Sequence, residues 1–134
     1  EYVQASLSNS GHLAVDVEDT AHVILRMRSG LPVVMILDFN RRSPRREVIV
    51  QTTTGELQWD ALSQSVSTLS IGQVINVQHF DQSRDEVFLD QLEDFINRSA
   101  RGERPVVGVA DACETLRVID AIRLSDESGE RVYL

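Results

Sequence analysis

Four arginines within six positions, Arg41-Arg42-Ser43-Pro44-Arg45-Arg46, are the densest concentration of chemistry in this sequence. A guanidinium presents a planar fork that grips carboxylates and phosphates through two parallel hydrogen bonds, so such a cluster suits an anionic ligand. In a chain of net charge −8 a second use is equally open, pairing with the protein's own surplus carboxylates. Pro44 breaks any strand and makes the segment a loop or bulge. A strand starts directly after it, which commits Arg46 to a sheet edge and leaves Arg42 and Arg45 as the candidate substrate-binding residues.

The remaining reactive residues do not assemble into a motif. His12, His22 and His79 lie far apart and lack metal-ligand spacing, so His22 reads as a sheet-face residue rather than a ligand. Asp16, Glu18 and Asp19 read as a solvated strand entry in preference to a cation site, since acids so close together are common at turns. Cys113 has no basic neighbour to lower its pKa, and packing is its default role. Glu93-Asp94 reads as a solvated helix face. All 13 basic residues are arginine, which removes Schiff-base and lysine acid–base chemistry altogether. The glycines form neither a dinucleotide fingerprint nor a phosphate loop. No catalytic, cofactor-binding or metal residue is therefore expected within this chain.

Its 134 residues suit one domain with a real core. The acidic balance argues against nucleic acid and against an anionic membrane surface, both of which call for a basic footprint. No apolar run approaches the roughly 20 residues of a membrane span. A single cysteine excludes an internal disulfide and points to a reducing, cytoplasmic setting. The chain opens at Glu1 inside an apparent strand, as though cut from a longer protein.

The elements that must carry these side chains are organised around a hairpin over residues 21–40. Gly30 supplies the positive φ of a tight turn, and a two-residue Ser29-Gly30 turn would pair Arg28 with Leu31, Leu25 with Val34 and Val23 with Ile36. That register puts Ile24, Val33, Met35, Leu37 and Phe39 on one face. Ala21, Val23, Leu25, Val34 and Ile36 take the other. A half-wet sheet alternates apolar and polar residues, whereas here both faces are apolar and both need cover. The first set is the expected oligomer interface, because an apolar patch this continuous is unusual on a monomer and two-fold pairing commonly covers one.

Further strands are expected at 2–7, 47–53, 56–60, 65–70, 74–80 and 131–134. The period then changes. Ser83 and Glu86 form a capping box, and Phe88, Leu92, Phe95 and Ile96 recur at helical spacing. Gly102 and Pro105 stop that helix. A second helix is expected from Asp111 to about Ser125, with Ala112, Leu116, Ile119 and Ile122 facing inward. The fold class is α+β, a mostly antiparallel sheet with two C-terminal helices on one face and the other face open for oligomerisation.

Four stretches, in order, resemble the C-terminal domain of the Gfo/Idh/MocA oxidoreductases. Val17-Glu18-Asp19-Thr20-Ala21, running through Val23, Leu25 and Met27 to Ser29-Gly30, is similar to that family's strand entry and turn. Arg45-Arg46, Val48-Ile49-Val50 and Gly55-Glu56-Leu57-Gln58-Trp59-Asp60 are similar to its next hairpin. Residues 84–95 resemble its helix, with Phe88 where the family often has Tyr and Gln91 where it often has Glu. Asp111-Ala112 through Leu116, Ile119 and Ala121-Ile122 to Ser125, then Gly129-Glu130-Arg131-Val132, resemble its closing helix and strand.

The resemblance implies an NAD(P)-binding Rossmann domain in front and a sheet domain behind, whose open face builds a homodimer or higher homo-oligomer. The family's catalytic lysine, in a Glu-Lys-Pro stretch, and its later Asp/His pair lie upstream of the matched region. The implied reading is the C-terminal substrate-side and dimerisation domain of an NAD- or NADP-dependent sugar or cyclitol oxidoreductase, with no cofactor bound in the fragment itself. The rival reading is a stand-alone α+β binding or dimerisation module with no catalytic role.

Overall fold

The computed structural model describes residues 1–134, and the fold is α+β, with two four-stranded antiparallel sheets and two helices. The chain divides into two compact units, Glu1–Arg42 with Val106–Leu134, and Ser43–Pro105.

The first unit holds β1 (Tyr2–Ser8), β2 (Thr20–Arg26), β3 (Pro32–Asp38), α2 (Val109–Ser128) and β8 (Val132–Tyr133), in the sheet order β3-β2-β1-β8. The β2–β3 hairpin exists, but its register is one residue away from the expected one: Val23 pairs with Met35 and Leu25 with Val33. The cause is the turn. Met27 N–H donates to Leu31 O at 2.9 Å and Gly30 N–H to Met27 O at 2.8 Å, closing a three-residue loop, Arg28-Ser29-Gly30, with Gly30 at φ +88°. A three-residue loop ending in a left-handed glycine is the usual alternative to the two-residue turn. One step of register moves every β3 side chain to the opposite face.

Val3, Val23, Ala121 and Ile122 form the buried core, with Ala5, Leu7, Ala21, Leu25, Met35, Val118 and Val132 packed around it. Helix α2 thus faces the sheet through Val118, Ala121, Ile122 and Ser125, at i, i+3, i+4 and i+7. Leu116 and Ile119, expected inward, remain 59% and 40% exposed. The helix also begins earlier than expected: Gly108 is its N-cap and the Asp111 carboxylate, at the third helical position, accepts from Gly108 N–H at 2.8 Å. It ends on Gly129 at φ +70°, whose N–H bonds Ser125 O.

Strand β8 pairs only with Tyr2 and Val3, so the rest of that edge of β1 needs other partners. Helix α2 supplies them. Ala5 N–H donates to Ser125 Oγ at 3.1 Å, and Leu7 N–H to an Asp126 carboxylate oxygen at 2.7 Å. Ser125 Oγ in turn donates to Glu130 O at 2.7 Å. Two helix side chains thereby finish an edge strand that would otherwise present bare N–H groups.

The second unit holds β4 (Glu47–Gln51), β5 (Glu56–Asp60), β6 (Ser65–Ser70), β7 (Gln73–His79) and α1 (Arg84–Ala100), with the sheet running in meander order β4-β5-β6-β7. Strand β4 stops two residues short of the expected end because Thr52 turns the chain, its Oγ1 donating to Gly55 O and accepting from Gly55 N–H. Gly55 is dictated by close approach, since an added Cβ would overlap the Leu69 carbonyl oxygen. The expected capping box opens α1, with Ser83 N–H to Glu86 Oε2 at 2.6 Å and Glu86 N–H to Ser83 Oγ at 3.3 Å. The apolar stripe is also present, but α1 buries no residue: Phe88, Leu92, Phe95 and Ile96 are each more than half exposed. The two helices therefore do not share the cover of one sheet; α2 packs on the first, and α1 stands in the second unit with its stripe open.

Candidate functional site

The best-formed concavity of the first unit is a cleft of about 250 Å³ on the α2 side of β2 and β3. Its floor is Val23 and Met35, its helix wall Ile119 and Ile122, and its outer wall Leu37 and Phe39. Glu18 and Arg123 close one end as an exposed ion pair at 3.4 Å. Helix α2 packs over β1 and β8, which leaves the β3 side of this face without a lid: Leu37 is 52% and Phe39 80% exposed.

Asp19, at the same end of the cleft, is not the solvated acid that its neighbours suggested. It is 2% exposed. Its carboxylate accepts from Ser10 Oγ at 2.6 Å, Ser10 N–H at 3.0 Å and Thr20 Oγ1 at 3.0 Å. Its own N–H donates to Ser8 O, and its carbonyl accepts from Phe39 N–H. The Ser10 hydroxyl first, then the Asn40 amide, hold its pKa down to about 2, against a smaller opposing effect of burial. Asn40 Nδ2 is buried, and the side chain acts on Asp19 as a donor that lowers its pKa although no other hydrogen bond satisfies it. Asp19 is ionised at neutral pH and accepts three hydrogen bonds from Ser10 and Thr20. It ties the Ser8–Ser10 segment, the start of β2 and the end of β3 into one knot and has no spare capacity for acid–base chemistry.

The opposite face of this sheet is open. Alternation from buried Val3 and Val23 places Gln4, Ser6, His22, Ile24, Arg26, Val34, Ile36 and Asp38 there. Of the five residues expected together at an interface, Ile24 alone stands on it. Val33, Met35 and Leu37 point to the α2 side, and Phe39, beyond the strand, lines the cleft. The apolar patch of the open face is instead Ile24, Val34 and Ile36, at 47%, 72% and 57% exposure. The three-residue turn is the whole reason, because it exchanges the two faces of β3 and leaves β2 in place.

The arginine segment follows β3. Arg41 and Arg42 are exposed. Arg45 meets Glu47 at 3.2 Å in an exposed pair, the kind worth about 0–1 kcal/mol. Arg46 is tied to the sheet edge through its carbonyl, which accepts from Ala61 N–H at 2.8 Å.

Neither a family model nor a curated relative matches this sequence. The fold, however, recurs in solved oxidoreductases. Aldose-aldose oxidoreductase from Caulobacter crescentus, solved with glycerol, superposes with a TM-score of 0.81 at 23% identity over 99% of this chain and 41% of that one. An oxidoreductase from Agrobacterium radiobacter, in complex with NAD+, L-tartaric acid and magnesium, gives 0.85 at 16% identity over 98% and 42%. Levoglucosan dehydrogenase, in complex with NADH and levoglucosan, gives 0.86 at 16% identity over 98% and 44%. This chain therefore has the fold of part of these enzymes and spans about two fifths of their length.

Proposed function

We propose that this chain is the C-terminal, substrate-side and dimerisation domain of a Gfo/Idh/MocA-type oxidoreductase acting on a sugar or cyclitol with NAD or NADP. The observation that carries this reading is the asymmetric coverage. Nearly all of this chain superposes on oxidoreductases more than twice its length, two of them solved with NAD+ or NADH. The absence of lysine and of a glycine fingerprint fits a division of labour in which another domain holds the nicotinamide and the catalytic lysine. In the whole enzyme that domain moves the hydride; this one closes the substrate side and, through its open sheet face, pairs the subunits. Arg42 and Arg45 are the residues through which it would grip an anionic substrate, and the tartaric acid bound by one neighbour is a dicarboxylate of that kind.

The test has three parts. Isothermal calorimetry of this chain with NADH should show no binding, and a micromolar site would overturn the assignment. The reading frame of the natural protein should carry a Rossmann fingerprint and a Glu-Lys-Pro stretch upstream; a frame without them would favour the stand-alone module. In the intact enzyme, Arg42→Ala and Arg45→Ala should raise KM for an anionic substrate while leaving the fold intact. Unchanged kinetics in both would return the arginines to the surface.

A further inference from the structure

We propose that Asp19 is the positioning residue for the anion-gripping arm of this domain: it anchors Asn40 and so fixes where Arg41 and Arg42 leave the sheet. The inference rests on the reading of Arg42 as a substrate-binding residue and adds what holds that residue in place.

Strand β3 ends at Asp38, and the arginines begin at Arg41. Apolar packing does not hold the segment between them, because Phe39 is 80% exposed. Polar contacts do. Phe39 N–H donates to Asp19 O at 3.0 Å, and Asn40 N–H donates to Asp38 Oδ1 at 2.7 Å. Asn40 Nδ2 is buried, and its amide acts as a donor toward the Asp19 carboxylate. Asp19 thus takes both the backbone of Phe39 and the side chain of Asn40.

Asp19 is itself held from the far side. Its carboxylate accepts from Ser10 and Thr20, and its N–H donates to Ser8 O at 2.9 Å. Ser8 and Thr20 face each other across β1 and β2. A buried acid at the mouth of two paired strands therefore passes the order of the sheet on to Asn40. Beyond Asn40 that support stops. Arg41 and Arg42 are exposed, and neither has an ion pair or a hydrogen bond within the chain.

A guanidinium grips a carboxylate or phosphate best when its fork is already aimed. If the anchor at Asn40 is lost, binding must also order the residues that it fixed. Ordering one residue costs about a factor of ten in affinity. That loss falls only on ligands that use the arginine, and an uncharged ligand at the same site is indifferent to it. A merely structural role would instead weaken every ligand alike.

Calorimetry on the intact enzyme, loaded with its reduced nicotinamide cofactor, tests this with D-glucose, D-glucuronate and D-glucose 6-phosphate. The three share one ring, and the last two show whether the arm takes a carboxylate or a phosphate. The quantity read is the preference for each anion over glucose. Arg42→Ala should lower that preference at least about tenfold. Asp19→Asn should lower it about tenfold, leave glucose binding unchanged, and remove nothing further from Arg42→Ala. If Asp19→Asn fails to fold, Asn40→Ala must show the same loss, since it cuts the link to the arginines and spares the Ser10 and Thr20 bonds. A wild type without anion preference, or a preference that Arg42→Ala leaves unchanged, refutes the reading of Arg42. A preference that depends on Arg42 but survives Asp19→Asn and Asn40→Ala refutes the positioning role alone. So does a loss that adds to that of Arg42→Ala, or one shared equally by glucose.

Discussion

Ser125→Ala should be among the most costly single-atom changes in this chain. The side chain is 1% exposed, and its hydroxyl serves two backbone groups at once, accepting from Ala5 N–H and donating to Glu130 O. Alanine leaves both without their side-chain partner beside a buried position. Each unsatisfied group costs about 1–3 kcal/mol, while the better helix propensity of alanine returns about half a kcal/mol. A net loss of about 2–4 kcal/mol follows once partial relaxation is allowed for. The first unit has four buried apolar residues, so this is a large share of what holds α2 to β1. Urea unfolding followed by far-UV circular dichroism reads it directly. With a slope of about 1–3 kcal/mol per molar, the midpoint should fall by at least about 0.7 M. Ser128→Ala is the control: that hydroxyl also donates to Leu124 O and accepts from Glu130 N–H, but both bonds are exposed and water can replace them, so its loss should stay within about 0.5 kcal/mol. A Ser125→Ala midpoint equal to that of Ser128→Ala, at unchanged slope, would refute the claim that α2 completes the edge of β1.

Gly55→Ala should destabilise the second unit by about 1–3 kcal/mol, read from the same denaturant curves, because the new methyl overlaps the Leu69 carbonyl oxygen of the backbone; a neutral change would mean that β6 yields there. Asp19 has a depressed folded pKa of about 2 against an ordinary value of 3.8, so its contribution is complete above the unfolded value and is lost as pH falls through the folded one. Acid titration of stability should therefore show a loss between about pH 4 and 2 that Asp19→Asn removes, and an unchanged acid limb in that variant would place the titration elsewhere.

What was legible in the sequence, and what was not, divides along a physical line. Period is local, and it locates every strand and both helices; capping chemistry locates the start of α1 at the Ser83–Glu86 box but sets α2 at Asp111, where Gly108 is the cap. Register is set by how many residues a turn spends, and Arg28-Ser29-Gly30 spends three where Ser29-Gly30 would spend two; both satisfy Gly30. That single residue carried Met35 and Leu37 from the outer face to the inner one. Asp19 was missed for a related reason. Its partners, Ser10 and Asn40, are distant in sequence, and the signal within reach was an acid beside Thr20 at the mouth of an apolar strand. An acid in that position is as readily a buried hydrogen-bond hub as a solvated one.

The same line separates an apolar face from its cover. The stripe of α1 is expected on a sheet face, and the structure buries none of its residues. The cleft walled by Leu37 and Phe39 is in the same condition, as are Ile24, Val34 and Ile36 on the open side of that sheet. Periodicity identifies which side of an element is apolar but is silent on what covers it, because the partner need not be near in sequence or in the same chain. Isolated apolar residues on a surface are ordinary, and continuous apolar faces are not.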